Sequence, residues 1–287
     1  MSNLSDLQCA FCDHPLERVR YFCRQLLSAD DMTVEQDYFR QKLRRHNHYL
    51  HGFGVVCGLS VEPAPDAAHP WQVRVCPGYA VAPQGDEILV PAPTLYDLAT
   101  GAQQDEPCAP CPCPPVPNVG HDARQIVFLG ARYSECSTRP VRLHPAGCGC
   151  DGCACDYSRI RDDFCLGTLC EIPDCYIKQA KIDLDLIQKL KAFKSAAGAD
   201  IEAYANLVNS GANGAALFGA AGNFAVSSRV PALPVPACLY CADPWVILAT
   251  IRLPANASMP ITSGDIHFLH RRVLYSESAL LWMALAA

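Results

Sequence analysis

Cysteine is the residue whose number and spacing first suggest chemistry here: the 287-residue chain holds 18 of them. CxxC pairs occur at Cys9/Cys12, Cys108/Cys111, Cys150/Cys153 and Cys238/Cys241, and CxC pairs at Cys111/Cys113, Cys148/Cys150 and Cys153/Cys155. Thiolates this close together reach a single ion, and two such pairs complete a tetrahedral zinc site. Cys165, Cys170 and Cys175 follow the densest run closely. These fourteen positions are the candidate metal ligands, with structural zinc as the cofactor. Two other readings stay open: disulfides formed after release from the cell, and an iron–sulfur cluster, whose ferredoxin spacings are not matched. Cys23, Cys57, Cys76 and Cys136 sit singly in apolar or strand-like runs and read as plain core.

Three histidines crowd one segment, His46, His48 and His51. No two of them are four residues apart, the spacing that stacks two ligands on one helical face. A structural role is expected, His46 packing within the helix face and the others solvated or capping the helix end. Nucleophile-elbow, P-loop and zincin patterns are absent. The run GFGVVCG carries one residue too many for a dinucleotide loop, and a strand follows it where a helix is needed. The pair Asp162/Asp163 reads as loop or cap residues. No catalytic or organic-cofactor site is expected.

The elements that position these residues form an α+β pattern: a β-rich body of short, mostly antiparallel strands, one N-terminal amphipathic helix and a helical insertion. Residues 1–25 read as an arm carrying a cysteine knuckle. Residues 26–176 read as a β-rich core with cysteine-rich loops and a helix over 33–51. Residues 177–228 read as the helical insertion, and residues 229–287 as strands completing the core. Thr33 and Gln36 have the form of a capping box. Phe39, Leu43, His46 and Leu50 share one helical face, expected to pack inward. Val55 to Val61 predicts one buried strand. QIVFLGARYSE predicts a central strand and PVRLH a shorter one. A stripe of Ile177, Leu184, Ile187, Leu190 and Lys191 marks the second helix.

Net charge is −6 and half the residues are hydrophobic. The basic run Arg40–Arg45 therefore reads as a solvated helix face, and no nucleic-acid partner is expected. No apolar stretch is long enough to span a bilayer, so no direct membrane insertion is expected. The N-terminus has neither the basic start nor the apolar core of a secretory signal. Synthesis and folding in the cytoplasm are expected, with release as part of a particle open.

LLSADDMTVEQDYFRQKLRRHNHYLHGFGVVCGLSV, PGYAVAPQGDEILVP, ARYSE, DYSRIRDDF and WVILATIRL with a later RR resemble uncharacterised bacterial proteins associated with phage-tail-like contractile injection systems. The opening is similar to the β-rich start of the type VI secretion baseplate component. The helical insertion and the cysteine density lie outside this resemblance. The resemblance implies a structural part of a baseplate, fibre or accessory, a homo-oligomer whose partners are other copies of itself or neighbouring subunits, and no catalytic residues. A metal-binding or redox protein is the alternative; an enzyme is a third.

Overall fold

The computed structural model describes residues 15–103, 126–142, 155–189, 191, 239, 241, 243–256 and 258–276. The chain divides into two compact units, Phe11–Asp174 with Cys241–Ala287, and Met1–Ala10 with Cys175–Tyr240. The architecture is α+β and β-rich, with strands that pair antiparallel.

Helix α1 spans Ala29–His46 and runs into a π-helical turn at Asn47–His51. It starts before the expected Thr33. Ser28 is the N-cap, its hydroxyl accepting from Asp31 N at 3.1 Å while Asp31 Oδ2 accepts from Ser28 N at 2.9 Å. This is a capping box built on aspartate rather than on Gln36. The Thr33 hydroxyl instead donates back to the Ala29 carbonyl at 2.9 Å.

Among the described residues eleven strands follow: β1 Gly54–Gly58, β2 Val61–Pro63, β3 Gln72–Val75, β4 Gly78–Val81, β5 Glu87–Val90, β6 Thr94–Asp97, β7 Ala102–Gln103, β8 Ile126–Arg142, β9 Cys155–Leu169, β10 Val246–Arg252 and β11 Ile266–His267. They make three sheets, ordered β1-β4-β5, β2-β3-β6-β7 and β11-β10-β8-β9. The single strand expected from Val55 to Val61 is two strands in two sheets. Leu59, at φ +54, turns the chain between them. A branched side chain rarely takes that region unaided. Arg271 braces the corner, donating to the carbonyls of Leu59 and Gly58, and its burial lowers the guanidinium's affinity for its proton.

The core draws on all three sheets. Val73 and Val75, Ile88 and Val90, Leu129, and Leu248 and Ile251 are fully buried. Each is worth about 1.5–3 kcal/mol relative to exposure. β10 is buried on both faces over its first six residues, as its unbroken apolar run requires. Trp245 packs just before it against Gly130 and Gly167, which face each other across β8 and β9, while Arg132 lies 5.2 Å above the indole.

β8 and β9 register from Phe128 opposite Leu169 to Arg142 opposite Cys155. β10 pairs with β8 only as far as Ala131, so among the described residues the rest is a two-stranded ribbon. This corrects two expectations. PVR belongs to β8 rather than to a separate strand, and Asp162 and Asp163 lie within β9 rather than in a loop.

Residues 174–189 form helix α2, which belongs to the second unit from Cys175 onward. Its buried positions are Cys175 and Ile182, seven apart and so on one face, while Ile177, Leu184 and Ile187 are exposed. These three residues of the stripe read from the sequence therefore face outward; Leu190 lies outside the described residues.

Candidate functional site

Helix α1 and the ribbon carry the features that stand out. No residue of α1 is buried. The helix is fixed by polar contacts to the β4–β5 turn, Pro83–Asp86. Arg44 Nε donates to Asp86 Oδ1 at 2.6 Å, and Asn47 Nδ2 to the Gly85 carbonyl at 3.0 Å. His48 Nδ1 lies 2.7 Å from the Pro83 carbonyl. A carbonyl only accepts, so Nδ1 carries the proton. Gly85, at φ +90, lets the turn approach the helix: a Cβ there would lie 2.1 Å from the Arg44 carbonyl oxygen. Asn47 and His48 are buried, whereas His46 and His51 are exposed with rings 5.3 Å apart. The expected roles of His46 and His48 are thus reversed.

At mid-helix Arg40 pairs with Glu135 of β8 and lies over the Tyr133 ring, 5.7 Å from its centroid. The Tyr133 hydroxyl lies 2.9 Å from Glu135 Oε1 and 2.7 Å from Asp162 Oδ1. Burial, and then these two carboxylates, push its pKa well above the usual phenol range. Glu135 and Asp162 face each other across the ribbon, where two like charges repel. The phenol proton and Arg40 offset that repulsion.

The outer face of α1 is apolar. Met32, Phe39, Leu43 and Leu50 are 49%, 59%, 50% and 69% exposed. Phe39, Leu43, His46 and Leu50 therefore face out, not into the core as expected. The helix docks through side chains one and two positions away, Arg44, Asn47 and His48, and that turns the apolar stripe outward.

A cavity of about 540 Å³ lies between β5 and β9, lined in part by Tyr79, Glu87, Leu89, Arg161, Asp163 and Phe164. Burial first, then Glu87 and Cys57, push the Tyr79 phenol up to about 12. Arg161 Nη2 lies 3.5 Å from Asp163 Oδ2. The lining includes no histidine, cysteine or serine.

The cysteine expectations divide. Cys9, Cys12, Cys108, Cys111, Cys113, Cys148, Cys150, Cys153 and Cys238 lie outside the described residues. Cys155 begins β9 opposite Arg142. Cys165 is a buried thiol in β9 and Cys170 an exposed one. Cys175 and Cys241, expected as metal ligands, are buried and disulfide-bonded, as is Cys136, expected as plain core. A cystine sulfur is not the thiolate that zinc takes. Cys23 and Cys57, also expected in the core, are exposed. Among the described residues no group of three or more His, Cys, Asp or Glu side chains could hold a metal, and no helix is long and apolar enough to cross a membrane.

Sequence reading missed Arg44–Asp86 and the Tyr133 cluster. The signals were ARYSE and PQGD, but their partners lie tens of residues away in the chain. No protein-family model matches the chain, and no curated protein matches it.

Proposed function

We propose that this chain is a structural subunit of a multi-protein assembly of the phage-tail-like contractile injection kind, serving as a baseplate, fibre or accessory part. The observation that carries this is the bare apolar face of α1. A helix that buries none of its residues, yet shows Met32, Phe39 and Leu43 on one side, suits a surface completed by another chain. The ribbon of β8 and β9 adds exposed apolar side chains on its two faces, Val141, Tyr157 and Ile160 among them. Cysteines serve this role as staples on irregular arms. The disulfides at Cys136, Cys175 and Cys241 favour cystine over zinc at those positions, and they suit a part that works outside the reducing cytosol.

Sedimentation velocity and electron microscopy of the purified chain test the proposal. A species heavier than the monomer, growing with concentration, is expected. A monomer at every concentration, with no ordered particle on the grid, would overturn it.

A further inference from the structure

The exposed face of α1 has a regular order. Met32, Gln36, Phe39, Leu43 and His46 follow each other at steps of four, three, four and three, the spacing of a coiled-coil seam. Glu35 and Lys42 flank it on one side, two turns apart. The charge of the helix is divided along its length: Asp30, Asp31, Glu35 and Asp37 occupy the first half, and Arg40, Lys42, Arg44 and Arg45 the second.

We infer that the seam is occupied by the same helix of a second copy, packed antiparallel. Antiparallel packing sets the acidic half of each helix beside the basic half of the other and opposes the two helix dipoles. Layers would pair Met32 with Leu43 and Gln36 with Phe39 of the second copy, and then the reverse. At that register Glu35 of each copy meets Lys42 of the other. One observation on the flank agrees. Lys42 is exposed, its ammonium 5.3 Å from the centroid of the Tyr38 ring, and no carboxylate partner is seen for it among the described residues. A parallel pair would instead bring Glu35 to Arg40, which Glu135 and Tyr133 already hold. The pairing rests on the assembly reading and names one of its contacts.

The experiment compares the full chain with Leu43→Glu, Glu35→Lys, Lys42→Glu and the Glu35→Lys/Lys42→Glu double variant by sedimentation velocity, with circular dichroism to check folding. Wild type is expected to dimerise. Leu43→Glu, at an exposed position, is expected to melt like wild type while losing the dimer by more than about tenfold in Kd, since each about 1.4 kcal/mol is tenfold. Each single charge variant is expected to weaken the dimer, and the double variant to restore it. An equimolar mix of the two single variants is likewise expected to form a mixed dimer. Restoration is specific to the antiparallel register, because a parallel pair would set the introduced lysine against Arg40. Larger species that persist unchanged in Leu43→Glu would overturn the pairing and leave the assembly reading standing. A wild-type monomer at every concentration would overturn both. Loss with Leu43→Glu but no restoration in the double variant would overturn the antiparallel register.

Discussion

Arg44 and Asp86 show what one polar contact does when its surroundings are dry. Asp86 is buried and Arg44 largely shielded, and the 2.6 Å contact ties a helix with no buried residue to a β-turn. Exposed ion pairs contribute little, but a charge-assisted hydrogen bond to a shielded carboxylate is worth more. Arg44→Ala is expected to cost about 1.5–3 kcal/mol, read as a lower urea midpoint with an unchanged slope. Arg44→Lys should recover only part, since an ammonium does not reproduce the directed Nε contact. At Tyr79 the effect is on pH rather than on anchoring. Its phenol is held up to about 12 from a usual 10.0, by burial first and then by Glu87. The folded chain thus keeps this proton longer than the unfolded chain does. The stabilisation is complete below about pH 10 and is lost as pH rises through about 12. Glu87→Gln removes the charge and leaves the burial, so the Tyr79 pKa is expected to fall part of the way back. Ultraviolet difference titration against Tyr79→Phe measures this, and no change on losing Glu87 would leave the shift to burial and Cys57.

Among the elements, the Trp245 slot is the tightest fit. A Cβ on Gly167 would lie 2.4 Å from the indole Cη2. The ring is boxed in by β8, β9 and the Arg132 guanidinium, so it has little room to yield. Gly167→Ala is expected to destabilise by about 1–3 kcal/mol, seen as a lower Tm, while the same change at exposed Gly264 should be near neutral. Such fits do not show in a sequence, where Gly167 is one small residue in a run of ordinary ones. What does show is periodicity with strong apolar content. WVILATIRL reads as a buried strand because β10 is covered on both faces, and PGYAVAPQGDEILV reads as a hairpin because its turn residues demand one. DYSRIRDDF hid β9, because a ribbon exposed on both faces has no apolar alternation to show. The same limit governs α1. Its four–three spacing was legible, but the side facing the body was not. Polar side chains decide that, and their partners, Pro83, Gly85 and Asp86, lie about 35 to 42 residues away.

For the molecule as a whole, the disulfides at Cys136, Cys175 and Cys241 bear on how the chain is held. Spacing alone separates zinc from cystine poorly, because CxxC and CxC place thiols close enough for either, and the compartment then decides. That is why the sequence marked Cys175 and Cys241 as metal ligands while the structure places each of them, and Cys136, in a disulfide. Chemical labelling tests the assignment directly. Iodoacetamide on the native, unreduced chain is expected to modify Cys23, Cys57 and Cys170, which are exposed thiols, and Cys165 only after denaturation, since it is buried. Cys136, Cys175 and Cys241 should resist in denaturant and label only once a reductant is added. Each disulfide is worth about 2–4 kcal/mol through its restriction of the unfolded chain. A reductant should therefore lower Tm, while a chelator without reductant should leave these three residues unlabelled. Labelling of Cys175 and Cys241 on adding a chelator alone would return them to metal-bound thiolates.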